Sequence, residues 1–143
     1  MTEAQPAVWR VPGRIEVLGQ HTDYAGGNVL VCAASQSVTA TATPRPPPRT
    51  PLTTSGGSPN DRRGLLSARS SAFPGTVTLE ANRPVDLPAG HWGRYVATAW
   101  HRLRANFGDL PDAHLTIDSD LPLASGMSSS SALVVASALA LAD

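Results

Sequence analysis

The feature that most constrains the fold is a short apolar strand that ends at a glycine and leads into a dense polar loop. The strand is Ile15 to Leu18, Gly19 follows it, and the loop from Gln20 to Gly27 reads QHTDYAGG. Glycines allow the chain to turn sharply here. Carboxylate and amide oxygens accept hydroxyl protons, and the loop histidine and Arg14 before the strand donate hydrogen bonds, so this segment can bind a polyhydroxylated ligand. A polar turn between two strands is the alternative interpretation.

A second informative segment, from Leu121 to Asp143, reads LPLASGMSSSSALVVASALALAD. Four consecutive serines, Ser128 to Ser131, precede an Ala/Leu/Val-rich run that favours a helix. Small side chains let a backbone approach phosphate closely, and the first turn of a helix presents unpaired N–H groups at the positive end of its dipole. Serine hydroxyls donate to phosphate oxygens or coordinate a metal. The segment therefore predicts a phosphate site, with an N-cap or a low-complexity patch as the alternative.

Charge and composition exclude several classes of partner. The 143 residues include 11 basic and 11 acidic ones, so the formal net charge is zero and we expect no nucleic-acid or anionic-membrane binding. The longest apolar run, Ala132 to Ala142, is shorter than the roughly 20 residues that span a bilayer.

Cys32 is the only cysteine, which excludes an intramolecular disulfide. We expect a buried thiol there and a cytoplasmic location.

The pattern of apolar residues predicts an α+β domain. The spacing of Val96, Trp100 and Leu103 predicts a surface helix from Trp92 to Phe107. Strands are predicted at Val8–Val11, Arg14–Leu18, Val29–Ala33, Val38–Thr43, Thr76–Ala81 and His114–Ile117. This order of elements, closed by the helix after the serines, indicates a mixed β-sheet with helices packed on one side.

Residues 44–71 differ in composition from the rest of the chain. They are rich in proline, glycine and serine and contain little to bury. We therefore expect a flexible insertion in an otherwise single domain over residues 1–143. A stretch of incorrectly determined sequence is the alternative.

The two motifs together resemble those of one enzyme family. The segment PGRIEVLGQHTDYAGGN, from Pro12 to Asn28, resembles the galactokinase signature GR-x-N-L-I-G-E-H-T-D-Y-N-x-G. The serine-rich segment resembles the nucleotide loop P-x-x-x-G-L-S-S-S-A of the GHMP small-molecule kinases, with Met127 in the Leu position and Ser131 in the Ala position. Both motifs occur in the family's order. The resemblance implies the fold of the GHMP kinase N-terminal domain.

The resemblance also implies roles for the first motif. The family's arginine stabilises the transferring phosphoryl group, and the matching residue is Arg14, for which an ordinary surface arginine is the alternative. The E-H-T-D tetrapeptide holds sugar hydroxyls, and the matching residues are Gln20, His21, Thr22 and Asp23. Asp23 is the best single candidate for sugar binding. Gln20 replaces the usual glutamate, which keeps an acceptor but removes its charge, so the identity of the sugar stays open.

For the second motif, the resemblance implies binding of ATP and magnesium. The matching loop residues are Ala124, Ser125, Gly126, Met127, Ser128, Ser129 and Ser130. Ser130 matches the serine that contacts magnesium. The expected cofactors are therefore ATP and Mg²⁺, and the expected small-molecule substrate is a monosaccharide, with galactose as the default.

The same resemblance predicts that the chain is an N-terminal part of a longer kinase. The family's catalytic aspartate and magnesium-binding glutamate lie beyond the nucleotide loop, and the chain ends at Asp143. We expect the 143 residues alone to be inactive. The alternatives are another GHMP kinase, such as one for mevalonate or homoserine, and a non-catalytic sugar- and ATP-binding regulator.

Overall fold

The computed structural model describes residues 5–19, 22, 25–45, 64–81, 83–122 and 125–143. In chain order its elements are β1 (Ala7–Leu18), β2 (Leu30–Pro44), β3 (Leu65–Ser70), β4 (Thr76–Glu80), α1 (Gly93–Phe107), β5 (Ala113–Ser119) and α2 (Ser129–Ala142). The five strands form one sheet in the order β1-β2-β5-β3-β4. The β3–β5 pair is parallel and the other pairs are antiparallel, so the sheet is mixed as predicted.

One face of the sheet is buried under both helices. Successive side chains of a strand point to opposite faces, and Val38, Ala40 and Ala42 of β2 are buried while Thr39, Thr41 and Thr43 are more exposed. Ala40 and Ala42 pair with Ile117 and Leu115 of β5, which are also buried. The same core contains Val96 and Trp100 of α1 and Ala132, Ala136 and Ala140 of α2. The predicted α+β architecture, with helices on one side, is confirmed.

At two places in the chain, two strands predicted as separate form one continuous strand. The predicted strands on either side of Pro12 join in β1, and those on either side of residues 34–37 join in β2. Pro12 interrupts nothing because β1 is an edge strand, where a missing N–H leaves no ladder partner unpaired. The register between β1 and β2 shifts between Pro12 and Arg14, so the gap between the two predicted strands corresponds to an irregularity within one ladder.

The predicted flexible insertion over residues 44–71 is wrong at both of its ends. Pro44 is the last residue of β2, and residues 65–70 form β3, between β5 and β4 in the sheet. Leu66 and Ala68 of β3 are buried, while Arg69 is exposed. This alternation is a strand signal, which the Pro/Gly/Ser-rich residues before it concealed. Residues 46–63 lie outside the described residues.

Cys32 is exposed, so the expectation of a buried thiol is wrong. It lies in β2 opposite Ile15 of β1, in the part of the hairpin nearest the polar loop. An apolar strand predicts burial only where another element covers it. Here α2 begins close to Gly13 and Arg14, which are farther from the polar loop than Cys32 is, so the helix does not cover Cys32.

Candidate nucleotide and sugar site

The predicted nucleotide loop lies against the free edge of β1. The backbone N–H of Arg14 donates to the carbonyl oxygen of Met127 over 3.0 Å. A Cβ atom on Gly13 would lie 2.5 Å from the Leu121 Cδ2 atom and 3.1 Å from the Met127 oxygen. A side chain at position 13 would therefore require the Leu121 side chain to move and the Met127 carbonyl to shift slightly.

The backbone of this loop has a strained conformation. Gly126 has a φ of 73°, and Ser128 has a φ of 53° and a ψ of 39°, the only positive φ of a non-glycine residue in the described part of the chain. A left-handed conformation costs an L-residue about 1 kcal/mol or more. Ser129, the next residue, starts α2. A left-handed residue followed by a right-handed one turns successive N–H groups inward, which forms an anion-binding concavity.

The start of α2 leaves backbone donors available to a ligand. The first hydrogen bond of the helix runs from the Ala132 N–H to the Ser128 carbonyl oxygen over 3.0 Å. The N–H groups of residues 129–131 precede it and have no acceptor within the helix. The Ser128 side chain makes no capping hydrogen bond, and the first turn contains no acidic residue. The positive end of the helix dipole is therefore free to attract an anion.

A carboxylate at the end of β5 anchors the segment that leads into this loop. Asp120 Oδ1 accepts a hydrogen bond of 2.6 Å from the backbone N–H of Ser37. The Ser37 hydroxyl in turn accepts a 2.6 Å hydrogen bond from Arg10 Nε. The Ser37 N–H lowers the pKa of Asp120 below its ordinary value, and the charge of Arg10 adds to this, although desolvation opposes it. The sequence analysis missed this cluster, because its members are distant in sequence.

The structure brings the backbone of Arg14, rather than its guanidinium, next to the nucleotide loop. The Cβ direction of Gly13 faces Leu121 and Met127, and the next side chain along a strand points to the other face. The Arg14 side chain is 53% exposed, and its Nη2 atom lies 3.7 Å from Glu16 Oε2. The role of Arg14 in phosphoryl transfer stays a prediction.

Of the four predicted sugar-binding residues, Thr22 is described. Its hydroxyl donates to the Gly19 carbonyl oxygen over 2.8 Å, and its own carbonyl oxygen accepts from the N–H groups of Ala25 and Gly27. Thr22 therefore holds the polar loop closed at its base. Gln20, His21 and Asp23 lie outside the described residues, as does Ala124 of the nucleotide loop.

The described residues contain no preformed metal centre. No group of three or more His, Cys, Asp or Glu side chains within them could hold a metal ion. Ser130, the predicted magnesium contact, is partly buried in the first turn of α2. A hydroxyl oxygen is the type of ligand that Mg²⁺ accepts beside bound phosphates. Neither helix in this part of the protein is long and apolar enough to cross a membrane.

Comparison with known proteins agrees with both motifs. A family profile described as GHMP kinases N terminal domain matches residues 94–143. A second, described as Galactokinase galactose-binding signature, matches residues 2–44. The galactokinases of Mycobacterium bovis and Mycobacterium tuberculosis are each 31% identical to the chain over 126 residues, which is 86% of this chain.

Two solved structures share the fold. The Lactococcus lactis galactokinase in complex with galactose superposes with a TM-score of 0.73 at 25% identity, over 94% of this chain and 31% of that one. The Methanococcus jannaschii mevalonate kinase superposes with a TM-score of 0.70 over 99% of this chain and 41% of that one. At 13% identity, the second match shows the fold alone.

The sheet, the two helices and the nucleotide loop against β1 define the N-terminal domain of a GHMP kinase. Within this class, the mycobacterial relatives and the galactose-binding signature are those of galactokinases. The chain is similar to the galactokinase-like GHMP kinases in both motifs and in its fold. It spans 29% of the length of those mycobacterial relatives.

Proposed function

We propose that this chain is the N-terminal part of an enzyme that transfers the γ-phosphoryl group of ATP to a hydroxyl group of galactose. One observation carries the phosphate half of the proposal: the left-handed Ser128 at the start of α2, in a loop that packs on Gly13. Backbone strain in a folded protein often marks a ligand site. The galactose-binding signature over residues 2–44 supports the sugar half. The cytoplasmic location expected from the lone cysteine stays a prediction.

In the proposed reaction, the hydroxyl oxygen of the sugar attacks the γ-phosphorus, the bond to the bridging oxygen breaks, ADP leaves and the hydroxyl proton passes to solvent water. The N–H groups of Ser129 and Ser130 donate to phosphate oxygens at the start of α2. The Arg14 guanidinium offsets charge that develops during transfer. Ser130 would help to hold Mg²⁺, which neutralises phosphate charge when bound. Gln20, His21 and Asp23 bind the hydroxyl groups of the sugar.

The test uses the full-length gene product and measures galactose-dependent ADP release. We expect Asp23→Asn to raise the KM for galactose by about tenfold or more, since a charge-assisted hydrogen bond contributes about 1.5–3 kcal/mol. The matched control is Asp86→Asn, which removes an exposed carboxylate from the segment before α1 and should leave the KM unchanged. Sugar and ATP binding by calorimetry, without ADP release, would contradict the proposal and support the non-catalytic regulator.

Gln20 stands where the family signature has glutamate, so substitution at this position tests whether the sugar pocket follows the family pattern. If galactose is the substrate, Gln20→Glu should lower its KM, with a gain on the order of 1 kcal/mol from a charged acceptor. Gln5→Glu adds the same charge before β1 and serves as the control. An unchanged or higher KM for galactose in Gln20→Glu would indicate another sugar, which a panel of monosaccharides would identify.

A further inference from the structure

Asp120 is the residue at which the chain leaves the sheet and turns toward the nucleotide loop. The β2–β5 ladder ends with the pair of Val38 and Ser119. One residue further, the Asp120 N–H donates to the Ser37 carbonyl oxygen over 3.3 Å, and Asp120 Oδ1 accepts from the Ser37 N–H over 2.6 Å. A side-chain carboxylate therefore binds β2 at the point where the regular ladder stops.

The β2 side of this contact is itself held in place. Ser37 is buried, and its hydroxyl accepts a 2.6 Å hydrogen bond from Arg10 Nε of β1. The Nη2 atom of the same arginine donates to the Ser35 carbonyl oxygen over 3.1 Å. Two strands thus fix the backbone N–H that Asp120 binds. The carboxylate therefore attaches the segment after β5 to an ordered part of the sheet.

The residues after Asp120 begin the nucleotide loop. Leu121 is buried, and its Cδ2 atom occupies the space where a side chain on Gly13 would lie. The Pro122 carbonyl oxygen accepts a 2.8 Å hydrogen bond from the Ser125 hydroxyl. Asp120 is therefore adjacent in the chain to two residues whose contacts fix the start of the loop.

The other end of the nucleotide loop is held by β1. The Met127 carbonyl oxygen accepts from the Arg14 N–H over 3.0 Å. Ser128, the left-handed residue with a φ of 53°, follows directly. Such a conformation persists where the surrounding contacts determine it. The loop therefore has a hydrogen bond to the sheet at each end, and Asp120 supplies the one at its start.

We propose that Asp120 is a positioning residue for ATP binding: its hydrogen bond to Ser37 holds the nucleotide loop in the conformation that presents the N–H groups at the start of α2 to phosphate. This inference rests on the proposed kinase function. An ionised carboxylate is an acceptor only and cannot donate to phosphate, so Asp120 acts through the backbone that follows it. A loop that is already ordered loses less entropy when the ligand binds, so the effect is expected in the affinity for ATP.

The experiment measures ATP binding to the full-length gene product by calorimetry with Mg²⁺ present, which gives both the Kd and the binding stoichiometry. Asp120→Ala removes the acceptor, and we expect it to raise the Kd for ATP by roughly threefold to tenfold with the stoichiometry unchanged. Asp120→Asn keeps an acceptor oxygen in the same place, so it should recover most of the affinity. The KM for galactose at saturating ATP should stay unchanged in both variants.

Asp118→Ala is the matched control. It removes an exposed carboxylate two residues earlier in β5 and should leave the Kd for ATP unchanged. A merely structural role for Asp120 would lower the stoichiometry, through a smaller folded fraction, and leave the Kd of the remaining protein unchanged. That result would overturn the inference, as would an equal rise of the Kd in Asp118→Ala. No recovery in Asp120→Asn would also overturn it, because the charge rather than the hydrogen bond would then matter.

Measuring ATP binding separates this inference from the proposed function. If the wild-type protein binds ATP but phosphorylates no sugar, the proposed function fails, and the comparison of Kd values still decides the role of Asp120. If galactose is phosphorylated and Asp120→Ala binds ATP as tightly as the wild type, the inference alone fails. A wild-type protein that binds no ATP would overturn both.

Discussion

The two halves of the β1–β2 hairpin have the same strands but different surroundings. In the half farther from the polar loop, α2 lies across β1. The helix starts near Gly13 and ends near Trp9. The Trp9 Nε1 atom donates to Asp143 over 3.1 Å. Val38 and Ala40 of β2 are buried beneath it. This half belongs to the hydrophobic core of the domain.

The half nearer the polar loop has no such cover among the described residues. Its exposed apolar side chains are Ile15, Val17, Leu18, Leu30 and Val31. The strands are continuous between the halves, with register shifts near Pro12 and Val17. The core therefore anchors one end of a hairpin whose other end carries the polar loop. The nucleotide loop lies at the junction between the two halves. The strand β1 therefore contacts the nucleotide loop at its middle and leads into the polar loop at its end.

The largest expected effect lies at this junction. Gly13→Ala would place a Cβ atom 2.5 Å from Leu121 Cδ2 and 3.1 Å from the Met127 carbonyl oxygen. We expect overpacking to cost about 2–3 kcal/mol of unfolding free energy and to weaken ATP binding, because the buried Leu121 side chain must repack and the Met127 carbonyl must shift. Urea unfolding and calorimetry with ATP measure the two effects.

Gly126→Ala is the control for this change. Gly126 has open space around its Cβ direction but a φ of 73°, so alanine meets backbone strain alone, at about 1 kcal/mol. If Gly13→Ala costs no more unfolding free energy than Gly126→Ala, the close contact between loop and strand adds nothing beyond the cost of backbone strain.

The second prediction compares the two halves with one substitution. Val38 is 3% exposed and Val31 is 44% exposed, and both lie in β2. Val38→Ala should lower the unfolding free energy by about 2 kcal/mol, from lost burial and the cavity that remains. Val31→Ala should change it by less than about 0.5 kcal/mol. Equal effects in urea unfolding would show that something covers the half nearer the polar loop.

The smallest expected effect concerns pH. The pKa of Asp120 is lowered in the folded protein from the ordinary value of 3.8, so its contribution to stability is complete above that value. The contribution is lost as the pH falls through the lower folded value. Asp120→Asn should therefore be less stable than the wild type at pH 6, and the difference should shrink near pH 3. Urea unfolding at both pH values checks this, with Asp118→Asn as the control; a constant difference would contradict it.

Much of the fold was predictable because its signals are local. The periodic apolar residues of α1 and the Ala/Leu/Val-rich run of α2 predicted helices that the structure confirms. The short strand β3 was missed because its six residues follow a Pro/Gly/Ser-rich stretch and pair with β5, which is distant in sequence. The exposure of Cys32 was missed for a related reason, since burial depends on which element lies above a strand.

The sequence by itself determined the two motifs, their order and the residue types available for phosphate and sugar. Those are properties of neighbouring residues, and no folding is needed to read them. Three contacts depended on the tertiary structure. The nucleotide loop contacts β1 at Gly13, and Asp120, before that loop, accepts a hydrogen bond from the Ser37 N–H. The third contact is the pairing of Arg14 with Glu16. The first two contacts join residues far apart in the chain. The third depends on a strand that places alternate side chains on one face, so each required the fold before it could form.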